Sequence, residues 1–240
     1  MAHELVQVIA SCGVHEDVAP NTLAAFEAAI RAGCDMTETD FRCCAEGVIV
    51  FHDAEAGGRP VAGMTRREIQ NAVGVLPPTL DEFIECCRGR IRVDLELKED
   101  GLEEAVLEAV VPYFRPDQFV ITSFHSSALR RVRALSPEAP TGLLTIRGLS
   151  QYFKAHPEWA DYRRPEVIFD EVRRLGANYL LPDYNDLELL MAAGPAGIDT
   201  IAWGVDTEHH MRTVLAATRL RGIITSEPTL LRQVLHEAPA

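Results

Sequence analysis

Short apolar, β-prone runs alternate with segments that carry apolar residues at helical spacing along almost the whole chain. That alternation predicts strand–helix units, and strands joined through helices pair in parallel. The runs begin near Val6, Met36, Val48, Ile91, Phe119, Thr141, Asn178, Thr200 and Gly222. About eight strand–helix units in 240 residues is the length of an α/β fold of the TIM type, a (β/α)8 barrel. An open doubly wound sheet alternates in the same way but favours a Gly-rich first turn for phosphate. The first turn here, SCGVHEDVAPN from Ser11, is not GxGxxG. The expectation is therefore one barrel domain over residues 1–240, with the aromatic, irregular stretch 148–166 as an excursion or lid. Asn21-Thr22, Thr65 and Thr79 are expected helix caps. The Gly/Pro-rich residues 54–63 read as a loop.

Strand ends in a parallel barrel share one face, where sites are built. Polar residues recur there: Ser11, Glu38, Asp40, His52, Glu96, Lys98, His125, Asp183 and Asp206. Glu38 and Asp40 are two apart on a strand, so they project to the same side. Two adjacent carboxylates repel unless a cation lies between them. With Glu96 they form a hard-oxygen set suited to Mg²⁺ or Ca²⁺. Spacing leaves a second reading open, in which Glu96 pairs with Lys98 while Glu38 and Asp40 sit at a solvated rim. Lys98 is a point charge suited to a phosphate oxygen. His52, after Val48-Ile49-Val50-Phe51, is an acid/base candidate. His125 and His15 are further candidates, whereas His209-His210 reads as solvated surface. Trp203 is expected at or just under the barrel mouth.

Lys plus Arg number 23 and Asp plus Glu 36, a net charge of −13. Such a surface repels nucleic acid and anionic membranes, but a local metal or lysine still admits a small anionic substrate. No apolar run is long enough to span a bilayer. The start MAHELVQVIAS lacks the basic and long apolar segments of a signal peptide, which predicts a cytoplasmic protein. The six cysteines contain no CxxC. Apart from Cys12, they are expected mostly as small buried apolar residues.

These residues also carry a resemblance, in order and over nearly the whole chain, to the glycerophosphodiester phosphodiesterase family. Glu38-Thr39-Asp40 and the following Arg42 match its Glu-x-Asp strand. Phe51-His52-Asp53 matches its His-Asp ending, and Glu96-Leu97-Lys98 its Glu-x-Lys strand. Ala19-Pro20-Asn21-Thr22, Ser123-Phe124, Trp203 and Gly222 to Pro228 match further family segments. The resemblance implies a barrel, a divalent ion on Glu38, Asp40 and Glu96, and phosphodiester cleavage with histidines as acid and base. His52 matches one of these histidines, and His125 is taken as its catalytic partner, with His15 or a metal-bound hydroxide as the alternatives. Lys98, Arg42, Ser11 and Trp203 are the expected substrate contacts.

The first strand departs from the family pattern. The family's His-Arg-Gly is Ser11-Cys12-Gly13 here, and the Glu of its first loop is Pro20. A serine hydroxyl is no base near neutral pH without an activator. One acid/base group is typically worth about 10²–10⁴-fold in rate. Three outcomes follow: another group supplies the function, the reaction changes to loss of phosphate or diphosphate, or the protein binds metal and phosphate without turnover. The first is a phosphoric diester hydrolase acting on a small phosphorylated substrate. Oligomeric state is not legible.

Overall fold

The computed structural model describes residues 6–146 and 164–237. Eight parallel strands form the barrel: β1 (Gln7–Ala10), β2 (Met36–Cys44), β6 (Arg92–Leu97), β7 (Phe119–Ser123), β8 (Thr141–Thr145), β9 (Tyr179–Pro182), β10 (Ile201–Ala202) and β11 (Gly222–Thr225). Their order is β10-β11-β1-β2-β6-β7-β8-β9. The two ends meet through parallel bridges Leu180–Thr200 and Asp183–Trp203, with Trp203 N donating to Pro182 O at 3.1 Å. The ring is nearly closed, as the alternation predicts.

Helices α1 (Leu23–Arg31), α2 (Arg66–Val73), α3 (Leu80–Cys87), α4 (Glu103–Val110), α5 (Ser126–Leu135), α6 (Pro165–Leu175), α7 (Leu187–Ala193), α8 (Glu208–Ala217) and α9 (Pro228–Glu237) follow the strands. Thr65 and Thr79 each close a capping box, with Glu68 and Glu82 respectively. Each box satisfies two otherwise orphaned backbone donors. Outside the barrel, Phe83 of α3 meets Phe26 of α1 and Phe41 of β2 edge-on, at 4.8 and 5.6 Å between ring centres. Such pairs add about 0.5–1.5 kcal/mol beyond burial. Inside, Ile9, Met36, Val120, Leu181 and Ile224 form an apolar layer. Met36 shares the pleat face of Glu38 and Asp40, so this layer is the floor beneath them.

Two segments differ from the sequence expectation. The run Val48–His52 is not a barrel strand. Its first part is β3 (Gly47–Val50), which turns back antiparallel on β2 with Phe41 opposite Val50. The connection is Ala45-Glu46, too short for the crossover a parallel strand needs. Within 54–63, β4 (Glu55–Ala56) and β5 (Arg59–Pro60) form a small hairpin. Gly57 and Gly58 have φ of 59° and 76°, the left-handed pair that a two-residue hairpin turn requires. The stretch expected as a lid, 148–166, lies almost wholly outside the described residues. Among the described residues, no helix is long and apolar enough to cross a membrane.

Candidate active site

The register of β2 against β6 builds the centre. Glu38 lies beside Asp94 and Asp40 beside Glu96, so two rungs of the ladder present four carboxylates to one cavity. All four are buried. The cavity measures about 590 Å³, and its lining includes every expected site residue: Ser11, Glu38, Asp40, Arg42, His52, Glu96, Lys98, His125 and Trp203. His15, half-buried in the first loop, and Asp183 are not in that lining.

Lys98 Nζ lies 2.7 Å from Glu96 and 3.2 Å from Asp40 Oδ1. Glu96 thus does pair with Lys98, but Glu38 and Asp40 are buried and not at a solvated rim. Burial disfavours the Lys98 ammonium, yet Glu96 and Asp40 overcome this and hold its pKa above the usual lysine value. Burial would raise Asp40, but Lys98, His52 and an Asn21 hydrogen bond together bring it below the ordinary value. Glu38 has no such cation. Burial, then Asp40, Glu96 and Asp94, push it well above the carboxylate range. Burial also raises Glu96, against the pull of Lys98. Burial lifts Asp94 to about 7, although Thr122 donates to its Oδ1 at 2.6 Å. Asp94 Oδ2 is buried and has no hydrogen-bond partner.

Four buried carboxylates therefore share one half-buried ammonium, and a buried charge needs a partner. The oxygen-rich donor set and the orphaned Asp94 oxygen fit a divalent cation. Cys12 Sγ, Glu38 and Asp40 each offer a ligand atom, all within 4.8 Å of one another. The first turn brings Cys12 there. Cys12 has φ of 53°, a left-handed conformation uncommon for a side-chain-bearing residue. Its backbone N donates to Glu38 Oε2 at 2.9 Å, and Sγ lies 3.4 Å from Asp40 Oδ2. Burial, then Glu38 and Asp40, keep the thiol well above its ordinary pKa. At Gly13, φ is 83° and an added Cβ would sit 2.6 Å from the Ala25 backbone. Only glycine allows the turn to pack against α1.

The remaining expected residues divide by what already holds them. His52 Nδ1 is 2.7 Å from Asp53 Oδ1, and the imidazole is 61% exposed. Arg42 Nε donates to the His52 carbonyl at 2.7 Å, and Nη1 to Glu99 at 3.2 Å. Its guanidinium is thus engaged in positioning the His52 segment. Ser11 Oγ is 3.5 Å from Glu38 Oε2. His125 precedes α5 as its cap residue. Trp203 donates its indole N–H to Leu181 O at 3.0 Å and meets Phe124 edge-on. With Leu144 and Ile146 these rings form the apolar part of the lining.

Three residues gained roles that sequence reasoning missed. Asn21, expected as a helix cap, leaves that role to Thr22, whose side chain accepts from Ala25 N. Asn21 Nδ2 instead donates to Asp40 Oδ2 at 2.7 Å. Asp94 shares the face of Glu96 by simple alternation, which was the available signal. Cys12 was legible only as a departure from the family pattern. The cysteine expectation holds for Cys34, Cys44 and Cys87, which are buried, and fails for Cys43, which is exposed. Cys43 lies on the pleat face opposite Cys44, away from the packed side of the hairpin.

Comparison with known proteins converges on one family. The glycerophosphoryl diester phosphodiesterase family matches residues 13–230. A glycerophosphodiester phosphodiesterase of Caldanaerobacter subterraneus is 28% identical, over 96% of this chain and 98% of that protein. A probable glycerophosphodiester phosphodiesterase of Mycobacterium tuberculosis is 25% identical, over 90% of this chain and 84% of that one. A crystal structure of a glycerophosphoryl diester phosphodiesterase, so named provisionally, from Silicibacter pomeroyi superposes with a TM-score of 0.79 at 25% identity, covering 97% and 94% of the two chains. An Oleispira antarctica phosphodiesterase, solved with its product sn-glycerol-3-phosphate, shares the fold with a TM-score of 0.77 at 22% identity, covering 98% of both chains. With a match this extensive on a barrel of the same shape, the chain belongs to the glycerophosphoryl diester phosphodiesterase family.

Proposed function

We propose that the protein is a divalent-metal-dependent phosphodiesterase that cleaves a small glycerophosphodiester. The observation that carries this reading is the convergence of Glu38, Asp40, Glu96, Lys98 and His52 on one cavity at the C-terminal ends of the strands. Glu38, Asp40 and Glu96 would hold the ion, Mg²⁺ or Ca²⁺ by their oxygen donors. When bound, such an ion neutralises charge building on the phosphoryl oxygens.

The chain's own residues supply the rest. Lys98 binds a phosphate oxygen, exchanging part of its contact with Glu96 and Asp40. Asp53 accepts the Nδ1 proton of His52, which leaves Nε2 to carry a proton to or from the substrate. Arg42 holds the His52 backbone in place. Trp203, its N–H already engaged, offers apolar surface to the alcohol portion. The apolar wall of Phe124, Leu144, Ile146 and Trp203 suits a short organic group. The sn-glycerol-3-phosphate bound in the Oleispira antarctica relative has that size and charge.

A second reading rests on Ser11. With a hydroxyl where the family pattern has histidine, one acid/base group beside the carboxylates is enough for expulsion of phosphate or diphosphate from a different substrate. The test is release of sn-glycerol-3-phosphate from a panel of glycerophosphodiesters with and without divalent metal. Loss of activity in His52→Ala and Glu38→Gln supports the proposal, and activity surviving both overturns the site. Metal-dependent binding of the panel without cleavage favours the second reading or a non-catalytic binding protein.

A further inference from the structure

The first turn places a soft ligand where a hard-oxygen site would need none. Cys12 Sγ is 3.6 Å from Glu38 Oε2 and 3.4 Å from Asp40 Oδ2. Metal–sulfur bonds of about 2.3 Å and metal–oxygen bonds of about 2.0–2.2 Å set ligand atoms roughly 3.1–3.6 Å apart for angles between 90° and tetrahedral. Both distances fall at such an edge. The two oxygens of Asp40 are already divided. Oδ1 faces Lys98 at 3.2 Å, and Oδ2 faces the sulfur. A cation between Cys12, Glu38 and Asp40 would therefore leave the Lys98 contact in place.

A second observation points to a bound cation. Asp94 Oδ2 is buried without a hydrogen-bond partner and lines the same cavity. The backbone agrees. Cys12 keeps a left-handed φ of 53°, a conformation of the kind that persists when surroundings over-determine it, often at functional sites. That turn holds Sγ against the carboxylates.

We propose that Cys12 Sγ joins Glu38 and Asp40 in a mixed sulfur–oxygen centre that takes a borderline-soft divalent transition metal, of the Zn²⁺ or Co²⁺ class, in preference to Mg²⁺ or Ca²⁺. This rests on the metal-centre reading above and changes its ion: Mg²⁺ or Ca²⁺ is what the carboxylates alone would take, and the sulfur shifts the choice. Thiolate donors select softer ions, whereas carboxylates alone suit hard ones. Binding breaks the Cys12 S–H bond as the metal–sulfur bond forms, and the proton leaves to solvent. No oxidation state changes.

The experiment uses the full chain, stripped with chelator under reducing conditions. Co²⁺ is added and the near-ultraviolet thiolate-to-cobalt band recorded. Iodoacetamide labelling of Cys12 is followed by peptide mass mapping with Zn²⁺, with Mg²⁺ and without metal. The expected result is a band that Cys12→Ser abolishes, with Co²⁺ affinity falling about 10–100-fold. Zn²⁺ should slow Cys12 labelling about tenfold or more, Mg²⁺ should not, and Glu38→Gln should remove the protection. A band that survives Cys12→Ser, or labelling of Cys12 indifferent to Zn²⁺, overturns the proposal. If Cys12→Ser does not fold, the labelling of the native chain decides alone. Calorimetric binding of Mg²⁺ or Ca²⁺ without any thiolate signal refutes the sulfur ligand and leaves the carboxylate centre standing. Binding of no divalent ion refutes both.

Discussion

Asn21 donates a 2.7 Å hydrogen bond to Asp40 Oδ2 and fixes the orientation of that carboxylate from outside its own strand. The same amide accepts from Thr39 Oγ1 at 3.1 Å through Oδ1, so both of its ends are engaged. Asn21 has φ of 56°, which asparagine tolerates better than most residues. Asn21→Ala should lose about 2–3 kcal/mol of stability, since a hydrogen bond to a charged group is removed and the turn is strained. In a chain of this length that is a fall in Tm of roughly 4–12 °C. Asn21→Gly should recover the part due to strain alone. Equal losses in the two variants, measured by denaturant unfolding, would show that backbone strain contributes nothing.

Arg42 acts on His52 through its backbone. Arg42→Ala frees the His52 carbonyl, now held at 2.7 Å, and lets the proposed acid/base group drift. A displacement of about 1 Å can cost on the order of 10²-fold in rate. The expected outcome is a fall in kcat with KM little changed. A rise in KM at constant kcat would instead make Arg42 a direct phosphate ligand.

Asp94 gives a pH signature in metal-free protein. Its native pKa of about 7 lies above the value of about 3.9 expected in the unfolded chain. Between those values the native state binds a proton that the unfolded state has released, so stability falls as pH rises. The contribution is full below about pH 4 and lost by about pH 7, with a difference on the order of 4 kcal/mol. Asp94→Asn should therefore be the more stable protein at pH 7 in the presence of chelator, with the gap closing towards pH 4. Parallel pH profiles for the two proteins would refute the assignment.

Ser11 stands where the family pattern has histidine. Its side chain already lines the cavity beside Glu38. Ser11→His, with or without Cys12→Arg, should raise turnover of ordinary glycerophosphodiesters by roughly 10²–10⁴-fold, the typical value of one acid/base group. No change in steady-state rate would mean that the native reaction does not need a second such group here.

Much of this arrangement was legible in the chain because it depends on short-range geometry. The period of two puts Glu38 with Asp40, and Glu96 with Lys98, on common faces. Thr65 and Thr79 cap helices through contacts only three residues away. The reading failed where a short local pattern had two outcomes. Val48–His52 has the composition of a barrel strand, but its brief connection folds it back on β2 as a hairpin edge. Asn21 has the chemistry of a cap, and only the path of the first turn sends its amide to Asp40 instead.

By itself the sequence determined the barrel, the family, and the residues that could carry chemistry, since alternation, strand ends and motif spacing are properties of the chain. The tertiary structure decided how those residues are shared. The β2–β6 register, set by long-range pairing, stacks Glu38 on Asp94 and Asp40 on Glu96. It gives Lys98 to Glu96 and Asp40 and leaves Glu38 without a cation. The left-handed first turn then sets Cys12 against Glu38 and Asp40. No one-dimensional pattern encodes which carboxylate faces a lysine and which faces a thiol, because that depends on distances between strands far apart in the chain.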